Sequence, residues 1–121
     1  MAIDEIRLAV PAAPEYARIA RLTVAGLATR LGFSYDEVED LRIAVGEACS
    51  VLIADPPAGR LEVIYRLEDD AVEVVATADT AVGNGAGSAD LTVQILGAVV
   101  DEHRINAADR TIWIRKQRVD G

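Results

Sequence analysis

Few side chains in this sequence combine a reactive type with a suggestive spacing. Glu47 lies in the run Asp40-Leu41-Arg42-Ile43-Ala44-Val45-Gly46-Glu47-Ala48-Cys49-Ser50, whose apolar residues recur every three or four positions. That period makes a helix, and an acid on an amphipathic helix is ordinary in itself. Asp79 follows an alternating run from Ala71 to Ala78, where an acid ends a strand at a turn. Gly83-Asn84-Gly85-Ala86-Gly87-Ser88 could cradle a phosphate with backbone amides. It contains no lysine, and Asp90 beside it would repel an anion, so a plain flexible linker competes with that reading. Cys49 falls on the apolar side of its helix, where a thiol behaves as a small hydrophobe, and no redox role is expected. His103 has no nucleophile or base near it in sequence and reads as a surface or half-buried residue, not a ligand. One histidine and one cysteine make no zinc cluster. Arg18 and Arg21, three apart, share a helix face, and Arg30 lies further along the same helix. They suit an acidic partner or a plain solvated surface.

The elements must place these groups within 121 residues, which is enough for one domain, expected over 1–121. Half of the chain is apolar (51%), so it can enclose a core. Only 4% is aromatic, so that core must be aliphatic. Twelve basic and twenty acidic residues leave a net charge of −8, a poor balance for nucleic acid or anionic lipid. A protein or a small molecule is the expected partner. A lone cysteine excludes an internal disulfide and suits the cytoplasm. The acidic start Met1-Ala2-Ile3-Asp4-Glu5 lacks the basic stretch of a signal peptide. No apolar run approaches the roughly 20 residues that span a bilayer.

Ile3 to Val10 alternates and predicts a strand that stops at Pro11. Pro14 opens a helix with Tyr16, Ile19, Ala20, Thr23, Leu27 and Leu31 along one stripe, and Gly32 stops it. Ser34-Tyr35-Asp36-Glu37 is a capping box for a second helix, the best defined in the chain. Its inward face is Val38, Leu41, Val45, Ala48, Cys49 and Leu52, and Asp55-Pro56-Pro57 ends it. Arg60 to Arg66 and Ala71 to Ala78 form a hairpin around Glu68-Asp69-Asp70. Ala81 to Ala89 reads as a loop, after which Ser88 or Asp90 caps a third helix with Leu91, Ile95, Ala98 and Val99 on one side. Asp101 to Asn106 and Thr111 to Arg115 are strands, with Trp113 either in the core or on the open sheet face. Lys116 to Gly121 reads as a solvated tail. The order β, α, α, β, β, α, β, β predicts a two-layer α/β sandwich, a mostly antiparallel sheet with three helices on one face.

The phrase around Glu47 resembles the corresponding helix of the anti-sigma factor serine kinases, in the histidine kinase-like (GHKL) ATPase superfamily. The order of elements, Asp79 after its strand and Gly97-Ala98-Val99-Val100-Asp101-Glu102 extend the resemblance over nearly the whole chain. It implies the Bergerat-type ATPase sandwich. It also implies that Glu47 matches a glutamate that orients or deprotonates the attacking group. The family's next residue of that helix site, four positions on, is a magnesium-binding asparagine; here it is Val51, with no lone pair for a hard cation. Of the family's Asp-x-Gly-x-Gly box, Asp79 matches the adenine-binding aspartate, Ala81 replaces the first glycine and Gly83 matches the second. The glycine-rich entry to the third helix is short and ends at Asp90.

The expected function is therefore an anti-sigma regulatory protein that binds a sigma factor or an anti-anti-sigma protein, with weak or no ATP-dependent kinase activity. No cofactor is expected at an eroded site, while ATP with magnesium belongs to the alternative, an active protein serine/threonine kinase using Glu47 and Asp79, with Ser50 or Asp55 standing in as magnesium ligand. A second alternative is a scaffolding domain docking through its sheet. Arg18 and Arg21 are the candidate partner contacts. The family contains dimers, and a homodimer remains open.

Overall fold

The computed structural model describes residues 4–79 and 89–119. Eight elements follow in the expected order: β1 (Asp4–Pro11), α1 (Pro14–Arg30), α2 (Tyr35–Leu52), β2 (Arg60–Leu67), β3 (Ala71–Ala78), α3 (Ala89–Val99), β4 (Glu102–Asn106) and β5 (Thr111–Gln117). The strands form one sheet in the order β1-β2-β3-β5-β4. Every neighbouring pair is antiparallel. The result is the two-layer sandwich expected of a GHKL-type ATPase.

Strand alternation sorts the sheet into two faces. Leu61, Val63 and Tyr65 of β2, Val72, Val74 and Ala76 of β3, and Ile112 and Ile114 of β5 are buried under the helices. The opposite face carries a row of alternating charge, since the register aligns Glu5, Arg66, Glu73, Arg115 and Glu102 across all five strands. Arg66 bridges Glu5 at 3.2 Å and Glu73 at 3.3 Å. Opposite charges on facing strands favour this register and disfavour a one-residue slip. Trp113 belongs to this open face, where the Arg104 guanidinium lies 5.2 Å from its ring centroid. Of its two expected places, the open sheet face is the one it takes.

The helices come close to the sheet because their buried residues are small. α1 buries Ala17, Ala20, Val24 and Ala28. The predicted α1 stripe holds at Ala20 and, partly buried, at Tyr16, Leu27 and Leu31, but Ile19 is exposed, and Ala17, Val24 and Ala28 turn inward beside it in the core. Small side chains win because α1 must also seat Tyr65, whose buried hydroxyl donates to the Ala20 carbonyl at 2.9 Å. The predicted α3 stripe is rotated. Thr92, Leu96 and Val100 are buried, whereas Leu91 is exposed. Its first turn starts at Ala89 and contains Asp90, so Asp90 is not the cap; Ser88, the other candidate, lies outside the described residues. The α2 face matches its prediction, with Leu41, Val45, Ala48, Cys49 and Leu52 buried. Gly32 stops α1 with φ +86°, a conformation that favours glycine. β1 includes Pro11, which an edge strand tolerates.

The C-terminal tail departs from its prediction. β5 continues to Gln117, and residues 116–119 are anchored rather than solvated. Lys116 Nζ donates to the Val99 carbonyl at 3.0 Å. The Gln117 amide donates to Asp101 Oδ2 at 2.7 Å. Arg118 donates through Nη1 to the Leu31 carbonyl at 2.6 Å. The Val119 amide donates to Glu37 Oε2 at 2.7 Å. Glu37 accepts this bond while its Oε1 accepts from the Ser34 amide at 2.8 Å, completing the capping box. A polar run reads as solvated in sequence, yet here its donors meet carbonyls and carboxylates left open at helix ends.

Burial opposes the charge on Glu37, but the amides of Ser34 and Val119, with Lys116 nearby, outweigh it and hold the carboxyl below its usual 4.5. The stability this group contributes is complete above the unfolded-state value and is lost as pH falls through the lower folded-state value. Glu37→Gln is expected to cost about 1–3 kcal/mol at neutral pH. Melting curves across pH should show the gap between wild type and variant narrowing at acidic pH.

Candidate functional site

α2 carries the family-matched residues on the side that meets α3. Glu47 is half-buried, and its Oε2 accepts from Thr92 Oγ1 at 2.7 Å. Thr92 is fully buried. Four positions on, Val51 packs against the hydrophobic core. An isopropyl group in that place offers no oxygen, so magnesium does not fit at position 51. Among the described residues, no group of three or more His, Cys, Asp or Glu could hold a metal ion.

Asp79 stands just past β3 and is exposed. Its Oδ1 accepts from the Arg60 amide at 2.7 Å, and its own amide donates to the Arg60 carbonyl at 3.2 Å. These bonds close the open end of the β2–β3 hairpin, as an acid at a strand end can do. Gly83, Ala81 and the glycines of 83–88 lie outside the described residues.

A second assembly lies between α1 and α2. Arg21 is half-buried, with its aliphatic stem across Gly46. A Cβ at Gly46 would lie 2.9 Å from Arg21 Cδ. Glycine is therefore what lets the arginine lie flat on the neighbouring helix. Arg21, Gly46 and Ser50 are shared by two adjoining depressions. One, of about 440 Å³, reaches Glu39, Arg42 and Glu47. The other, of about 340 Å³, reaches Pro14, Ile53 and Pro57. Arg18 is fully exposed on α1, so the two arginines share a side of the helix but differ in setting. Neither makes an ion pair with another described residue. Leu22, four residues after Arg18, and Ile19 are exposed on the same helix, at 58% and 40%.

The remaining candidates are structural in setting. Cys49 is fully buried, and burial pushes its thiol up to about 12 against an opposing pull from Arg21. A thiol held protonated is a poor nucleophile. His103 is half-buried against α3, and a Cβ at Gly97 would lie 3.9 Å from its Cε1. Asp55 lines the smaller depression and Ser50 lines both.

No protein-family model matches the chain. Curated proteins do. It is 43% identical over 79 residues to the serine-protein kinase RsbW of Bacillus licheniformis, covering 61% of this chain and 49% of the relative. It is 42% identical over 77 residues to that of Bacillus velezensis, with 60% and 48% covered. The Bacillus subtilis protein of the same name is 42% identical over 76 residues, again with 60% and 48% covered. The chain is similar to the RsbW serine-protein kinases over about 60% of its length. The resemblance to that kinase family thus holds over about 60% of the chain rather than nearly all of it, and the chain spans about half the length of the curated relatives it matches.

Two residues of these assemblies escaped the sequence reading, Thr92 and Gly46. Thr92 sits four before Leu96 and eight before Val100, a helical spacing that could have flagged a polar group on the buried face. Gly46 is a glycine inside a helix, which costs stability unless something approaches closely. Gly46→Ala is expected to preserve or raise the melting temperature, by up to about 1 kcal/mol of helix propensity, while moving Arg21 out of the groove. A thermal melt and the NMR shift of the Arg21 side-chain N–H would check both effects.

Proposed function

We propose that this chain is an anti-sigma regulatory protein that works by holding a sigma factor or an anti-anti-sigma protein, with little or no transfer of phosphate from ATP. The observation that carries the reading is Val51, a partly buried apolar side chain packed against the core where the resemblance calls for a magnesium ligand. Phosphoryl transfer depends on metal and positioned charge, so its loss there weakens chemistry far more than binding. Similarity to the RsbW kinases supports the regulatory role. The α1–α2 groove supports a protein partner: Arg21 brings a cation that forms no ion pair with another described residue, in a chain of net charge −8, and on the same helix Leu22 is exposed four residues after Arg18. Arginine next to apolar surface is a common composition for an interface anchor. Arg18 adds a second cation at the rim. An acidic, partly apolar face on the partner would complement both.

Calorimetry with candidate sigma factors and anti-anti-sigma proteins from the same cell tests this reading. Arg21→Ala is expected to weaken the bound complex by about 2 kcal/mol, near 30-fold. Titration with ATP and ADP, with and without magnesium and with Asp79→Ala as control, addresses the nucleotide. Phosphate transfer from ATP to an anti-anti-sigma protein would overturn the non-catalytic reading and establish the kinase alternative. Absence of any such partner would favour the scaffold.

A further inference from the structure

α3 lies along α2 with polar contacts at two levels. At one, Thr92 Oγ1 donates to Glu47 Oε2 at 2.7 Å. At the other, Lys116 Nζ reaches the Val99 carbonyl at 3.0 Å and Asp40 Oδ2 at 3.4 Å. Asp40 and Glu47 are seven residues apart on α2, and Thr92 and Val99 are seven apart on α3. The pairing runs in opposite senses, so the helices are antiparallel and the two contacts are about 10 Å apart along the axes.

The contacts differ in what surrounds them. Lys116 joins from β5 and leaves Asp40 more than a third exposed. Thr92 has no exposed surface, so the hydroxyl must find its acceptor inside the protein. Its acceptor is a carboxyl oxygen of Glu47 on the neighbouring helix. The neighbours Leu91 and Val93 face outward at 56% and 45% exposure. Thr92 is thus the inward residue between exposed Leu91 and Val93, and Glu47 is what it points at.

We propose that Glu47 and Thr92 act as one unit, a polar latch that closes the N-terminal part of α3 onto α2, and that Glu47 serves this contact instead of proton transfer. The proposal rests on the non-catalytic reading above and gives the retained glutamate a purpose within it. Removing the base function leaves a carboxylate that the fold still needs. Thr92 in turn is a positioning residue: it sets where the Glu47 carboxylate points.

A double-variant cycle on the full chain tests the latch. Thr92→Val keeps the shape and deletes the hydroxyl. It is expected to lower the melting temperature by about 4 °C and to speed hydrogen exchange in α3 about tenfold, with α1 unchanged. Thr92→Ser restores the donor and should restore both readings. Glu47→Ala should match Thr92→Val, and the double variant should fall no further than either single one. Additive losses, failure of serine to rescue, or unchanged exchange in α3 would overturn the latch. Partner capture is not part of this readout. An additive cycle with intact sigma-factor binding rejects the latch alone, and a coupled cycle without any partner rejects the binding reading alone.

Discussion

Alanines at 17, 20 and 28 of α1 and at 44 and 48 of α2 are all buried, and they let two helices lie close to the sheet and to each other. Much else depends on that closeness. It brings the Ala20 carbonyl within reach of the Tyr65 hydroxyl, so the largest fully buried side chain is satisfied. It places Gly46 under the stem of Arg21. It also leaves α2 in contact with α1, α3, β3 and β5, which makes that helix the common wall of both candidate surfaces. In a core with few aromatic residues, small side chains and short interhelical distances replace bulk as the source of packing density.

The two sides of α2 have different fates. Toward α3, the positions that match a nucleotide site are occupied by the protein's own contacts: Glu47 by Thr92, Val51 by the core, and beyond β3, Asp79 by the Arg60 amide. Toward α1, Arg21 keeps an unpaired charge among the described residues and lies in an open groove. A polar group whose bonds are made internally adds stability, while one left without a partner is available to a ligand. The distribution of satisfied and unsatisfied groups therefore separates a surface that holds the fold from one suited to another molecule.

Much of this was legible in the chain itself. Ser34 and Glu37 announce the start of α2 because a capping box is a local arrangement, set by residues three apart. The hairpin around Glu68-Asp69-Asp70 is equally local, and the Glu68 amide does bond the Ala71 carbonyl at 2.9 Å. The inward face of α2 was readable because its apolar stripe is broad. α1 and α3 misled because alanine, threonine and isoleucine alternate at positions where a shift of one residue changes the face. The tail misled because Lys116, Gln117 and Arg118 look like solvated residues until their acceptors are known.

Sequence alone determined the order of elements, the two-layer class, the resemblance to the serine-protein kinases and the absence of a lone pair at Val51. Each of these depends on residue identity or on neighbours within a few positions. Tertiary structure decided that Thr92 meets Glu47 across 45 positions of chain, that the Val119 amide takes the second oxygen of Glu37 across 82, and that Arg21 lies on Gly46. Those pairings join groups distant in sequence. They form only where packing brings two elements into register, and no local period encodes them.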